Sequence, residues 1–307
     1  MADLDRLIQT LYASALETDR EQFRPLALKE VCQWLGATGA AWLTRSVTGL
    51  PGEYTECPEA GISIEQLSRL NFSDGVREYV LDPLPPELSP GGKASGQEQG
   101  YLMHYVHRGG GLNSTVLLRA PRGRKLQHQG DLRRAIGHLV EAGTLSLRQY
   151  IHRDEKLYEL GRASRGTAAL VDAQGTIYAA STRFRELLSG EFGDHNFTAL
   201  PQPLPEEAHT GEGLFFQGAL HFRSSKKGRL FLLHARRPLP LDGLSPREQQ
   251  IARALGTGKT FKSVARQFGI AVSTVANHAS RIYRKLGIFR REELVEMVRT
   301  PTSNDSE

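Results

Sequence analysis

The sequence predicts an α+β chain of several domains: two small antiparallel-sheet units, a long helix connecting them, and an all-α unit of four helices at the C-terminal end. Three observations predict it. The 307 residues exceed one ordinary domain, for which about 100–200 residues is typical. Short apolar runs bounded by glycine and proline recur on both sides of a long helical stretch. From Ser245 onward the pattern changes to short apolar stripes at helical spacing, separated by glycines.

Leu4, Leu7, Ile8 and Leu11 recur at helical spacing, so the chain is expected to open on a helix. A second helix is expected over residues 23–35, stopped by Gly36 as its C′ glycine. Residues 39–45 read as a strand, and residues 74–100, rich in Pro, Gly, Ser and Glu, as a long loop. Strands at 101–107 and 114–119 flank Gly109-Gly110-Gly111 and form a hairpin. Residues 130–162 are helical. One heptad phase takes Leu132, Ile136, Leu139, Tyr150, Leu157 and Leu160, but it also puts Gly143, Ser146 and Arg153 on the seam. Two readings stand: a signalling or dimer helix, or a helix packed on its own domain.

The second sheet unit starts near Gly166. Residues 168–172 and 176–180 are strands around an Ala173-Gln174-Gly175 turn, followed by a short helix at 182–188. Pro201, Pro203 and Pro205 mark an irregular stretch. Residues 214–223 and 229–236 then form a hairpin around 224–228, and Pro238-Leu239-Pro240 stiffens a linker. The expected domains are 1–128, a connecting helix over 129–165, 166–237 and 242–300.

Composition narrows the function classes. The hydrophobic fraction of 39% suits globular domains. No run of 18 apolar residues occurs, so no membrane-spanning helix is expected. Met1-Ala-Asp-Leu-Asp-Arg6 has neither a basic nor an apolar segment of a secretory signal. Cys32 and Cys57 are too few for a zinc or disulfide framework and fit a reducing cytoplasm. The net charge of +5 is concentrated: residues 245–300 hold 11 Lys/Arg against 4 Asp/Glu, and the remainder is slightly acidic. Localised positive charge is the footprint of a phosphate-binding surface, set against the simpler reading of a solvated basic face.

Four helices follow from Ser245. The first opens with Ser245 as N-cap, Pro246 at N1 and Glu248 at N3, a capping box, and buries Ile251, Ala254 and Leu255. Gly256 and Gly258 end it. Thr260 caps the second helix, which buries Val264, Ala265 and Phe268, and Gly269 supplies the turn. Ser273 is expected to cap the third, with Val275, Ala279, Ile282 and Leu286 on one face and Gly287 as its stop. Glu292 and Glu293 suit the first turn of the fourth, whose apolar positions are Leu294, Val295 and Val298. The second and third helices with their glycine turn, about 261–280, make a helix-turn-helix, whose second helix normally enters the major groove. Its other faces carry Ala276, Asn277, Ser280, Arg281 and Arg284. Asn can bridge adenine and Arg can bridge guanine. Ser273 and Thr274 suit phosphate oxygens, and Lys259, Lys262 and Lys285 add charge.

Leu244-Ser-Pro-Arg-Glu248, Ile270-x-x-Ser-Thr-Val275, His278 and Arg284-Lys-Leu-Gly287 occur in order at the spacing of the LuxR/FixJ/NarL-type (GerE-like) domain, which residues 244–298 resemble. The resemblance implies base-facing Ala276, Asn277, Ser280 and Arg281, with Thr274, His278, Lys262 and Lys285 near the phosphate backbone. It implies a cytoplasmic, nucleoid-associated transcriptional regulator acting as a homodimer on double-stranded promoter DNA, with RNA polymerase as a possible further partner. Three positions depart from the pattern: Ala276 stands where Lys is usual, Ser263 where Glu is usual, and Phe261 where a small polar residue is common.

By element order the two upstream units resemble sensor domains, the first GAF- or PAS-like and the second a reduced PAS. That resemblance implies a pocket for a small-molecule effector, for which Trp34, Trp42, Tyr101, Tyr105, Phe215 and Phe222 are candidates beside their reading as plain core. No cofactor is expected. His104 and His107, three apart on a strand, point to opposite faces and suit no shared metal. Cys32 reads as a buried thiol. The acidic cluster of a phosphoacceptor receiver is missing. Gly258-Lys259-Thr260 lacks the earlier glycine of a phosphate-binding loop, because that position is Arg253, and no other catalytic motif occurs. The expected function is therefore non-enzymatic: a DNA-binding regulator gated by a small-molecule or protein signal, or one whose upstream domains only dimerise or bind a partner protein.

Overall fold

A computed structural model describes residues 2–47, 51–58, 61–70, 77–89, 96–109, 111–159, 167–193, 197–209 and 212–299. Gly110, parts of the expected 74–100 loop, the 160–165 end of the connecting helix, the start at Gly166 and Thr300 lie outside the described residues. The chain divides into two compact units, 1–236 and 237–307.

The first unit begins with α1 (Ala2–Glu17) and α2 (Arg20–Leu35). Gly36 ends α2 at φ 65°, and the Ala37 amide donates back to the Cys32 carbonyl at 3.0 Å, satisfying an otherwise orphaned acceptor. Then come β1 (Gly39–Ser46), β2 (Pro51–Cys57), α3 (Ile64–Ser68), β3 (Arg77–Leu81), β4 (Glu98–Val106), β5 (Leu112–Pro121) and α4 (Leu132–Glu159). The five strands form one antiparallel sheet in the order β2-β1-β5-β4-β3. The second half repeats the architecture. Strands β6 (Ala168–Val171), β7 (Ile177–Ala180), β8 (Glu212–Gln217), β9 (Leu220–Lys227) and β10 (Leu230–Arg236) pair antiparallel in the order β7-β6-β10-β9-β8. Counted from its own first strand, each sheet has the same order. Helices α5 (Thr182–Phe192) and α6 (Glu206–His209) belong to this half. Asp172 sets its first hairpin: the carboxylate accepts the Gln174 and Thr176 amides at 3.0 and 2.9 Å, and Gly175 takes φ 84°.

Both faces of the first sheet are covered. Ala40, Trp42, Tyr101, Met103, Val116 and Leu118 pack under α1, α2 and α4, while Ala41, Leu43, Leu102 and Leu117 pack against Ile64 and Leu67 of α3 and against Leu84 and Leu88. This two-sided burial is why β1 is buried along its whole length and shows no polar alternation.

The long helix α4 packs on its own unit. Leu132, Ile136 and Leu139, three of the heptad positions, lie in the first core. Further along, Leu147 and Ile151 join Ala168, Leu170, Tyr178, Leu230 and Leu232 of the second sheet. Between those stretches Gly143 has the Trp42 indole against it: a Cβ there would stand 2.6 Å from Cη2. Of the remaining seam residues, the side chains of Leu157 and Leu160 lie outside the described ones.

Three expectations about the strands need correction. The 74–100 stretch is not all loop, because it contains β3 and a 3-10 turn at Pro86–Leu88. Strand β2 was not expected at all. Both are edge strands, and Pro51 and Gly52 open β2 with a turn signature that an edge tolerates. The expected strand over 214–223 is two strands, β8 and β9, joined at Gly218 with φ 57°. Residues 224–227 then continue β9, and the next turn centres on Gly228 at φ 68°.

The second unit is four helices: α7 (Pro246–Gly256), α8 (Phe261–Phe268), α9 (Val272–Leu286) and α10 (Arg291–Arg299). Its core holds Ile251, Leu255, Val264, Val275, Ala279, Ile282, Ile288 and Leu294. Leu241 and Leu244 also belong to it, so the chain after Pro240 is a packed 3-10 turn (Pro240–Gly243) and not a free linker.

Candidate nucleic-acid interface

The C-terminal unit is built by local chemistry at each helix end. Ser245 Oγ accepts the Glu248 amide and Glu248 Oε2 accepts the Ser245 amide at 2.8 Å, a reciprocal capping box. Thr260 Oγ1 accepts the Ser263 amide at 3.2 Å, the single-sided cap expected without a Glu at 263. Gly269 and Gly287 close α8 and α9 in the left-handed region, at φ 64° and 68°. One cap differs from expectation. Helix α9 starts at Val272 with Ala271 as N-cap, so Ser273 is an exposed residue inside the first turn.

Longer-range contacts fix the helices against one another. Arg247 lies 4.8 Å over the Phe268 ring and donates to the Phe268 carbonyl at 3.3 Å, joining α7 to the end of α8. Arg291 donates to the Lys259 carbonyl at 2.6 Å, joining α10 to the α7–α8 turn. Gly256 is more than a helix stop: a Cβ there would collide with Val298, so α7 and α10 cross on a glycine. Sequence reading missed both arginines and this crossing, because their partners lie far away along the chain.

On α9, Val275, Ala279 and Ile282 are buried. Asn277, Ser280, Arg281 and Arg284 are exposed, and Thr274, Ala276 and His278 are half-buried beside them. Lys262 is exposed on α8. Those on α9 form a largely polar exposed surface along a helix held from behind by its apolar face, and Lys262 stands on the preceding helix. Among the described residues no ion pair engages Lys262, Arg281 or Arg284. Two expected backbone contacts look different in place. Lys285 Nζ donates to Glu248 Oε2 at 2.7 Å, so its charge is already partnered within the domain. His278 Nδ1 is buried with no hydrogen-bond partner among the described residues. The Lys285 ammonium and the Ser245 amide together hold the Glu248 carboxyl down at about 2.

The six aromatic residues considered for an effector pocket lie mostly in packed core. The Arg24 guanidinium sits 3.6 Å over Trp42, and Tyr101 packs in the same core. Trp34 stacks on His128 with centroids 4.4 Å apart. Phe215 and Phe222 stack on each other at 5.0 Å in the second core. Of the six, Tyr105 lines a cleft. A different cleft, of about 360 Å³, opens on the α3 side of the first sheet, with Leu81, Leu88 and Leu102 as apolar lining and Gln66, Arg69 and Glu87 as polar groups. Leu81, Pro85, Glu87 and Leu88 come from the stretch read as loop and meet Gln66, Arg69, Leu70 and Leu102 only in the fold, which is why the sequence did not point to it.

His104 and His107 do face apart: His104 Nδ1 lies 3.2 Å from Thr115 Oγ1, and His107 Nε2 lies 2.9 Å from Ser114 Oγ. Burial lowers both imidazoles to about 4 and keeps them neutral. Burial also raises the Cys32 thiol to about 12.

Residues 242–298 match the family described as GerE, bacterial regulatory proteins of the luxR family. Among solved structures the chain is similar to SdiA in complex with octanoyl-rac-glycerol, at 14% identity and TM-score 0.36, over 96% of this chain and 93% of that one. It is similar to Escherichia coli SdiA at 12% identity and TM-score 0.35, over 95% of each chain. The GAF domain of a sensor histidine kinase from Pseudomonas syringae pv. tomato is similar at 16% identity and TM-score 0.31, over 52% of this chain and 92% of that one. No curated protein sequence matches the chain. Among the described residues, no helix is long and apolar enough to cross a membrane.

Proposed function

We propose, from a C-terminal domain that belongs to the luxR family of bacterial regulatory proteins, that the chain is a sequence-specific regulator of transcription. In this reading α9 lies in the major groove of double-stranded DNA. Asn277, Ser280 and Arg281 read base edges, Arg284 and Ala276 flank them, and Lys262, Ser273, Thr274 and His278 face phosphates. The observation that carries it is the exposed stripe of α9, whose opposite face is locked into the core by Val275, Ala279 and Ile282. The reading includes a homodimer on paired half-sites, the arrangement in which dimeric proteins of this kind read DNA.

A signal bound by the upstream unit gates this activity. The cleft on the α3 side of the first sheet supports a small molecule as that signal, since apolar walls with a few convergent polar groups suit one. Leu214 and Phe216, 75% and 65% exposed on the edge strand β8, favour the second reading, in which this unit binds a partner protein or another copy.

The test is selection of bound duplexes from a random library by the full chain, followed by titration at several salt concentrations. Enrichment of one motif, steep loss of affinity with salt, and loss of site preference in Arg281→Ala are the expected results. Equal affinity for all sequences overturns the reading. Native mass spectrometry of the protein purified from its own host separates the two forms of gating: a co-purifying small molecule supports the first.

A further inference from the structure

A second cleft, of about 510 Å³, lies on the other face of the first sheet, between α1, the start of α4 and the end of β4. Its lining is Tyr12 from α1, Tyr105 and Arg108 from the end of β4 and the turn beyond it, and Arg133, Arg134, Gly137, His138 and Glu141 from α4. Tyr105 is on the face opposite Leu102, so this cleft and the one under α3 are separated by the thickness of the sheet.

Three features of the cleft go unexplained by folding. Three arginines line it against one acidic residue, Glu141, and among the described residues only Arg134 has an ion-pair partner, Asp131 at 3.3 Å. Arg133 and Arg134 occupy the first turn of α4, which has no acidic residue there. Cations at that end of a helix oppose its dipole; Asp131, just before the helix, offsets this in part, and a bound anion would offset it further. Gly137 is the third feature. Gly143, two turns on, is required by the Trp42 ring. At Gly137 a Cβ would meet only the Tyr105 ring, at an ordinary 3.7 Å. Packing therefore admits alanine, which is the better helix former, and the glycine leaves the floor of the cleft open beneath Tyr105. The walls are ordered: Tyr12 Oη lies 3.2 Å from His138 Nδ1 with the two rings edge to face.

We propose that this cleft binds a small organic polyanion, a polycarboxylate or a phosphate ester, held by Arg108, Arg133 and Arg134 through forked hydrogen bonds and packed against the rings of Tyr12 and Tyr105. The cleft is broadly open to solvent, and its volume and the two tyrosine rings suit a compact ligand. The site bears on α1 and α4, two of the helices that cover the inner face of the first sheet, and α4 also packs on the second sheet. An occupant would therefore bias an element shared by both sheet domains. The inference does not depend on the DNA-binding reading.

The test is thermal unfolding and calorimetric titration of the full chain carrying Arg281→Ala and Arg284→Ala, which weakens anion binding by α9. Citrate and fructose 1,6-bisphosphate are the charged probes, and glycerol and sucrose the uncharged ones. The expected result is a rise in Tm with at least one polyanion and none with the uncharged probes, with affinity about tenfold weaker in Arg108→Gln/Arg133→Gln. Gly137→Leu should abolish binding by filling the floor, whereas Gly137→Ala should fold at least as well as the parent and report on crowding alone. No Tm change with either polyanion up to about 10 mM, or binding undiminished in the double Gln variant, overturns the proposal.

Discussion

The Lys285 ammonium lies 2.7 Å from the Glu248 carboxylate, and the same oxygen accepts the Ser245 amide at 2.8 Å. One carboxylate thus closes the N-terminal cap of α7 and holds the last turn of α9. The contact ties the orientation of α9 to α7, and it partners one of the cations of α9 within the domain.

This arrangement predicts that the C-terminal domain loses stability in acid. Lys285 and the Ser245 amide hold Glu248 at about 2, below its ordinary 4.5. A carboxyl lowered by folding contributes stability that is present above the ordinary value and is lost as pH falls towards the folded one. Stability should therefore decline between about pH 4.5 and 2. Glu248→Gln keeps an acceptor for the cap and removes the charge, so it should flatten that decline while lowering stability at pH 7. Urea unfolding of residues 237–307 across this range reads both effects, and an unchanged pH slope in the variant would show that another group titrates.

In the proposed reading the α9 stripe makes two kinds of DNA contact, which substitutions separate. Arg281→Ala should cost about 1–3 kcal/mol and relax preference at one base position, because a guanidinium can fork onto guanine. Lys262→Ala should weaken all sequences alike and lower the salt slope by about one. Ala276→Lys supplies the cation usual at that position in similar domains. It should tighten binding to unrelated duplexes and steepen the salt slope by about one. Fluorescence anisotropy with cognate and scrambled duplexes at four salt concentrations separates the three. A Lys262→Ala variant that changes preference without changing the slope would reverse the assignment.

Glu53 should be among the most costly positions of the upstream unit. Its carboxylate meets Arg20 at 2.6 Å and Arg24 at 3.4 Å, with side chains about a tenth exposed. Arg24 also donates to Thr44 Oγ1 at 3.1 Å and to the Trp42 carbonyl at 3.0 Å. Burial lowers the Arg24 guanidinium to about 10, and Glu53 opposes that shift. Glu53→Leu would leave a buried cation without its partner, at a cost of about 3–5 kcal/mol. Pairing it with Arg24→Met should recover part of the loss, since an apolar pair of similar volume carries no desolvation penalty. Chemical unfolding of the two single variants and the double gives the coupling, and strict additivity would mean the charges do not interact.

What could be read from the sequence follows the range of the physics involved. Caps and turn glycines act within four residues, and Ser245, Thr260, Gly269 and Gly287 all sit where their side chains or backbone freedom required. Ser273 shows the limit: a good capping residue lies two positions past the true N-cap, Ala271, because tertiary packing of Val275 and Ala279 sets where α9 starts. Edge strands were the other blind spot. β2 and β3 contain Pro51, Gly52 and several charged or polar residues, and an edge needs burial on fewer sides than a central strand such as β1. The Glu248–Lys285 pair and both clefts join residues tens of positions apart, so no local pattern announces them.

The two glycines inside α4 should respond oppositely to the same substitution. Alanine normally stabilises a helix interior by about 1 kcal/mol over glycine. At Gly143 the new methyl would stand 2.6 Å from Trp42 Cη2 and 2.9 Å from Cζ2. The indole cannot retreat freely, because Arg24 lies 3.6 Å over its face and its Nε1 reaches Ser114 Oγ at 3.4 Å. Overpacking of that kind costs about 1–3 kcal/mol, which equals or exceeds the helical gain. Gly143→Ala should therefore lower Tm and perturb the fluorescence of Trp42. At Gly137 the nearest atom is the Tyr105 ring at 3.7 Å, so the helical gain stands alone and Tm should rise. Trp42→Phe in the Gly143→Ala background should restore part of the loss by removing the atoms that clash. Equal Tm changes at both glycines would mean that the ring does not hold the helix where the structure places it.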